Sequence, residues 1–153
     1  MPILKLRGGP ALSSFRLDKQ NARLAALHPS IRIAGHVWWH FTESDNALSA
    51  ADRVALEKLL DDGLGYQAEE AKGTLLLVVP RLGTISPWSS KATDIAHSCG
   101  LAAVRRIERG LGYTLAGGKE LERHRDAVLA ILHDRMTESV LGSLEEADAL
   151  FHH

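Results

Sequence analysis

The side chains best suited to chemistry crowd into residues 80–99. The run reads Pro80-Arg81-Leu82-Gly83-Thr84-Ile85-Ser86-Pro87-Trp88-Ser89-Ser90-Lys91-Ala92-Thr93-Asp94-Ile95-Ala96-His97, with Cys99 close behind. A glycine, several hydroxyls and a lysine ahead of a helical stretch are ingredients of a phosphate cradle. A P-loop also needs a second glycine directly before its Lys-Ser/Thr pair, so that backbone N–H groups can approach the phosphates. Ser90 occupies that place, and Ala92 follows the lysine. The pattern does not make an ATP site. A plainer reading is that Ser89 or Ser90 caps the helix and Asp94 complements its dipole, with a weaker anion site at the same helix start still compatible. Cys99 is the only cysteine. A triad-type nucleophilic cysteine sits on a tight strand-to-helix elbow. Cys99 instead ends a helix just before Gly100, which reads as a buried, inert thiol.

Other candidates lie on two expected strands. His36 and His40 share a face, but zinc needs three or four ligands and no third is evident. The pair reads as part of an exposed polar face. Trp38 lies on that face with Arg32, so an indole there calls for either a covering helix or a partner surface. Arg105, Arg106 and Arg109 could form a basic patch. With Glu108 among them, they read as solvated or paired surface residues. His152 and His153 are assigned no role.

Periodicity gives the elements that must position these groups. Residues 2–6 form a short strand, stopped by Gly8-Gly9-Pro10. Residues 14–27 are helical, with Phe15, Ala22 and Ala25 on one stripe and Leu17, Leu24 and Leu27 beside it. Residues 31–41 alternate as a strand, placing Ile31, Ile33, Val37, Trp39 and Phe41 on one face and Arg32, His36, Trp38 and His40 on the other. Ser49 caps a helix to about residue 62, with the stripe Ala51, Val54, Ala55 and Leu59, stopped by Gly63 and Gly65. A buried strand at 73–79, a loop at 80–90, a helix at about 91–99 and a long strand at 104–115 follow. That last strand puts Ile107, Leu111, Tyr113 and Leu115 on one face. Gly117-Gly118 turn the chain into a helix marked by Leu121, Val128, Leu129 and Leu132. Residues 133–139 fit either class. Ser143 with Glu146 forms a capping box for a last helix through Phe151. The order is strand-helix-strand-helix twice over, a pseudo-duplicated α+β domain with helices packed on one sheet.

The composition bounds the function classes. The 153 residues carry 18 Lys+Arg against 19 Asp+Glu, a net charge of -1, so no basic excess points to nucleic acid or an anionic membrane. The longest strongly apolar run, residues 75–79, is far below a membrane span, and a lone thiol fits a reducing compartment such as the cytoplasm.

Residues 81–101 closely resemble a signature of the large, glutamine-dependent phosphoribosylformylglycinamidine synthase family, in its amino-terminal, PurS-like domain. Thinner matches follow in order at residues 7–15, 75–80, 106–110 and 132–138. Leu82 departs from the family, which usually has proline there. The resemblance implies that residues 1–153 are one domain of a larger purine-biosynthesis ligase. That enzyme joins formylglycinamide ribonucleotide, glutamine and ATP, using a synthetase region with ATP and magnesium and a glutaminase region with a catalytic cysteine. Ammonia passes between the two. Neither catalytic region is in this chain, so no catalytic, cofactor or metal residue is assigned. The implied role is structural, with the synthetase and glutaminase regions as partners. Arg81, Thr84, Ser86, Trp88, Ser89 and Lys91 are the candidate contacts to them. The alternative is a free-standing interaction module working through the Trp38 face. A native reading frame running well past residue 153 separates the two.

Overall fold

A computed structural model of the chain describes residues 2–61 and 72–151. The expected glycine stop at Gly63 and Gly65, and His152 and His153, lie outside the described residues. Strands β1 (Ile3–Arg7), β2 (Arg32–Ser44), β3 (Thr74–Pro80), β4 (Val104–Ala116) and β5 (Glu138–Leu141) form one sheet in the order β1-β2-β4-β3-β5. Every neighbouring pair is antiparallel. Helices α1 (Ser14–Leu27), α2 (Ala50–Leu60), α3 (Pro87–Ser98), α4 (Gly118–Arg123) and α5 (Arg125–Leu132) fall between the strands, and a 3-10 helix (Glu145–Phe151) ends the described chain. Of the ambiguous stretch, residues 133–137 form a loop and turn and the last two enter β5, which extends the sheet beyond β3.

The two expected halves are visible. β1-α1-β2 and β3-α3-β4 each join a strand to a helix through six residues, 8–13 and 81–86. Each helix is capped by a serine, Ser13 or Ser86. The long strands β2 and β4 pair at the centre, so the order β1-β2-β4-β3 is the same from either end once the halves are exchanged.

One irregularity reorganises the faces of β2. The register with β4 shifts between Ile33 and Gly35, so the side-chain alternation changes phase there. Ile33 opposes Leu115, then His36 opposes Tyr113, Trp38 opposes Leu111 and His40 opposes Arg109. Ile33 therefore shares its face with His36, Trp38 and His40. The expectation that it aligns with Val37, Trp39 and Phe41 is corrected, because unbroken alternation cannot register an inserted residue. Nor is the histidine face exposed: His40 is buried, and α1, α2, α3 and α5 pack on that side. The opposite face is covered at Phe41, Leu77 and Val79 by Ala147, Leu150 and Phe151 of the 3-10 helix.

Two helix stripes differ in part from the expected ones, although Leu59 packs on the core as expected. In α1, Leu24 is buried and Leu17 and Leu27 pack beside it, while Phe15 is 77% exposed. In α2, Leu56 is fully buried with Leu59 and Leu60, while Val54 is 52% exposed. In α1 a stripe of three leucines buries more apolar area than Phe15 with two alanines, and in α2 the leucines outweigh alanine and valine in the same way. The expected helix after Gly118 is broken at His124 into α4 and α5. The capping box at the start of the 3-10 helix forms as expected: Glu146 Oε2 accepts from the Ser143 N–H at 3.1 Å and Ser143 Oγ from the Glu146 N–H at 3.4 Å.

Leu56→Ala should lower unfolding free energy by about 2–5 kcal/mol, whereas Val54→Ala should stay within about 0.5 kcal/mol. Urea titration of both variants checks this inversion, and equal effects would contradict the buried face of α2.

Candidate functional site

Helix α3 starts earlier than the sequence suggests. Pro87 takes its first turn, and Ser86, not Ser89 or Ser90, is the N-cap. Ser86 Oγ accepts from the Ser89 N–H at 3.0 Å and donates to Glu108 Oε1 at 2.8 Å. Three residues on α3, spaced four apart, then bind the edge of β4. β3 pairs with β4 only as far as Leu111, so the backbone from Val104 to Ile107 has no strand on that side. Ser89 Oγ donates to the Ile107 carbonyl, Thr93 Oγ1 accepts from the Ile107 N–H at 3.0 Å, and His97 Nε2 lies 2.6 Å from the Val104 carbonyl. The spacing places all three on one helical stripe, which satisfies groups that a further strand would otherwise take. Gly100, at φ 86°, then ends the helix in the left-handed region. Leu101 turns inward to the core beside Ala96 and Val104. Cys99 at the C-cap is left exposed, which corrects the expected buried thiol.

The three arginines do not form a patch. Arg105 is exposed and pairs with Asp45 at 3.6 Å. Arg106 and Glu108 form a buried pair at 2.8 Å, with Glu108 fully buried. The carboxylate also accepts from Ser86 Oγ and from the Arg109 N–H at 3.1 Å. The Arg106 guanidinium donates to the carbonyls of Thr84 at 3.1 Å and Leu150 at 2.6 Å and to Ser89 Oγ at 3.3 Å, and it lies over the Phe151 ring. One ion pair thus ties the loop at 81–86, α3 and the 3-10 helix to β4.

Arg109 points to the helix-bearing face. Its guanidinium lies 4.1 Å from the Trp38 ring centroid and 4.7 Å from that of Trp88, so indoles from β2 and α3 flank it. His40 stacks on Trp88 with ring centroids 5.8 Å apart. Burial pushes the Arg109 pKa down, and the adjacent Glu108 charge opposes that shift. A cleft of about 570 Å³ opens beside this stack, lined by Arg16, Arg81, Ile85, Pro87 and Met136 among others. A second of about 360 Å³ lies against the same three residues, towards Leu60, Asp61 and Lys91. Trp38 is therefore neither wholly covered nor wholly presented: it packs on the core from one side and meets a cleft on the other.

Among the sequence candidates, Arg81, Thr84 and Lys91 are exposed, Trp88 and Ser86 are half-buried, and Ser89 is fully buried. Arg81, Thr84, Ser86 and Trp88 line the larger cleft, and Lys91 the smaller. Ser86 and Ser89 spend their hydroxyls inside the domain. Sequence reasoning took Arg109 and Glu108 for solvated or paired surface residues, whereas Glu108 is fully buried and Arg109 half-buried. The signal for Arg109 was its place among Ile107, Leu111 and Tyr113 on one strand face. Fold and site together define an antiparallel α+β domain with an arginine–tryptophan cleft beside a braced loop. Residues 37–151 match the family model described as formylglycinamide ribonucleotide amidotransferase N-terminal, and the chain belongs to that family, the phosphoribosylformylglycinamidine synthases of purine biosynthesis.

Glu108→Ala strands the partly buried Arg106 charge and should cost about 3–5 kcal/mol, whereas Lys91→Ala should stay within about 0.5 kcal/mol. Denaturant unfolding of both variants tests the brace, which is refuted if Glu108→Ala is as mild as Lys91→Ala. His36 makes a separate, pH-dependent contribution. Its Nδ1 accepts from the Leu12 N–H at 3.1 Å, which only the neutral ring can do, and burial pushes its pKa down. The unfolded chain then binds more protons between the lowered pKa and about 6.5. The stabilisation is complete above about pH 6.5 and is lost as pH falls through the lowered value. Urea midpoints from about pH 7.5 to about pH 5.5 should fall further in the wild type than in His36→Asn, and parallel slopes would argue against this role.

Proposed function

We propose that this domain is the non-catalytic coupling piece of phosphoribosylformylglycinamidine synthase. The parent reaction converts formylglycinamide ribonucleotide, glutamine and ATP to formylglycinamidine ribonucleotide, glutamate, ADP and phosphate. In this reading the domain works in the cytoplasm as part of a longer polypeptide. It joins the synthetase region, which uses ATP and magnesium, to the glutaminase region and helps complete the ammonia route between them. Beside the family match, one observation carries the reading. The loop at 81–86 is braced from within by Glu108 and Arg106, yet its outer side is apolar and unspent. Leu82 is 40% exposed, Ile85 59% and Met136 76%. Ile85 and Met136 line the same cleft as Trp88. Apolar groups gathered at a rigid loop fit a surface that another region covers. Arg81, Thr84 and Lys91 add polar contacts at its rim, while Ser86 and Ser89 hold its shape from inside.

In the full-length enzyme, Ile85→Ser, Met136→Ser and Lys91→Ala should lower glutamine-dependent synthesis by about 10-fold in combination, about 1.4 kcal/mol of barrier. Synthesis from added ammonium salts and glutamine hydrolysis should fall less, because the domain couples sites and does not carry the chemistry. The 153-residue chain by itself should turn over neither ATP nor glutamine. Wild-type coupled synthesis in the triple variant would overturn the reading, as would turnover by the purified chain that disappears in Lys91→Ala.

A further inference from the structure

We infer that the Arg109 guanidinium is a receptor for a carboxylate side chain carried by the catalytic regions of the same polypeptide. The inference rests on the coupling role proposed above and assigns that contact its chemistry. Indole ring centroids lie 4.1 and 4.7 Å from the guanidinium carbon, and an aromatic face offers its N–H groups no lone-pair acceptor. Among the described residues, no group accepts a hydrogen bond from the guanidinium. Buried or half-buried polar groups are normally partnered, so a fixed guanidinium fork beside an open cleft calls for an acceptor from outside.

The surroundings select an anion. Arg16, Arg81 and Arg109 line the larger cleft. Of the two acids there, Glu108 is spent on Ser86, Arg106 and the Arg109 N–H, and Glu138 Oε1 accepts from the Asp134 N–H at 2.8 Å. The cationic side therefore exceeds what the cleft neutralises. A planar carboxylate matches the fork by two parallel bonds, which a point acceptor cannot do. The apolar walls at Val78, Leu111, Ile85 and Met136 suit an acid on an aliphatic stem, as Glu or Asp in a docked segment supplies. The exposed apolar rim beside the same cleft favours a protein segment over a free small molecule.

The test uses this chain and the separately expressed remainder of the polypeptide. Binding is followed by calorimetry and by tryptophan fluorescence, since Trp38 and Trp88 report on the guanidinium between them. Arg109→Gln should weaken the complex by about 10- to 100-fold, and Arg109→Lys should restore only part of it, because the charge returns without the fork. Circular dichroism checks that both variants fold. A complex that forms with the wild type and keeps its affinity in folded Arg109→Gln overturns this inference and leaves the coupling role standing. No complex with the wild type overturns both. Sodium acetate or glutamate that shifts the tryptophan emission of the chain, while the remainder does not, marks a small-carboxylate site and overturns the assignment to a protein side chain.

Discussion

Glu108 is fully buried, and a buried carboxylate persists only where charge and hydrogen bonds replace the water it gives up. Arg106 supplies the charge, and Ser86 and the Arg109 backbone N–H supply further donors. The demand runs both ways. Arg106 is itself largely buried, so its guanidinium must find acceptors, and it finds them at Thr84, Ser89 and Leu150 as well as Glu108. Two segments far apart in sequence, the loop running into α3 and the 3-10 helix, thereby meet at one pair on β4. Removing either partner leaves the other charged and alone, which makes the pair a constraint on where the loop at 81–86 can lie.

That constraint explains why residues 81–101 carry so dense a pattern. Much of it is architecture. Ser86 caps α3, Ser89, Thr93 and His97 complete the edge of β4, Ala96 fills the core and Gly100 ends the helix. Gly110 belongs to the same scheme, since a side-chain carbon there would come within 2.9 Å of Val79 and 3.0 Å of Leu77. What architecture leaves over is small and specific: the exposed face of the loop, Met136 opposite it, and the guanidinium of Arg109. These groups are placed with the precision of the scaffold but are not used by it.

The symmetry of the two halves puts the same scaffold logic to two uses. Both strand-to-helix loops span six residues and end in a serine cap. The first loop, at 8–13, is held by His36, whose ring accepts from Leu12, and by the exchange of backbone hydrogen bonds between Trp38 and Gly8-Gly9. The second is held by an ion pair. A neutral imidazole and a buried ion pair are different devices, so the halves share a shape without sharing a chemical basis.

By itself the sequence determined the order of the first four strands and the helices between them, their grouping into two halves, the family and the inward face of β4, because those are set by local period, turn residues and a long run of matched positions. It placed Ile31 and Phe41 in the core, though on a strand taken as regular. It misjudged the stripes of α1 and α2, since a helix with leucines on adjacent stripes has no preferred face until a sheet is laid against it. Only the tertiary structure decided the rest. The shift near Gly35 changes which side of β2 faces the helices, and no alternation pattern shows an insertion that a partner strand must reveal. The exposure of Cys99 follows from how the turn at Gly100 sends Leu101 inward. Arg106, Glu108 and Arg109 are near neighbours in one charged run, yet they serve opposite faces of one sheet. Alternation separates Glu108 from Arg109, but what each meets is fixed by segments some 20 to 70 residues away in the chain, at Ser86, Trp88 and Trp38.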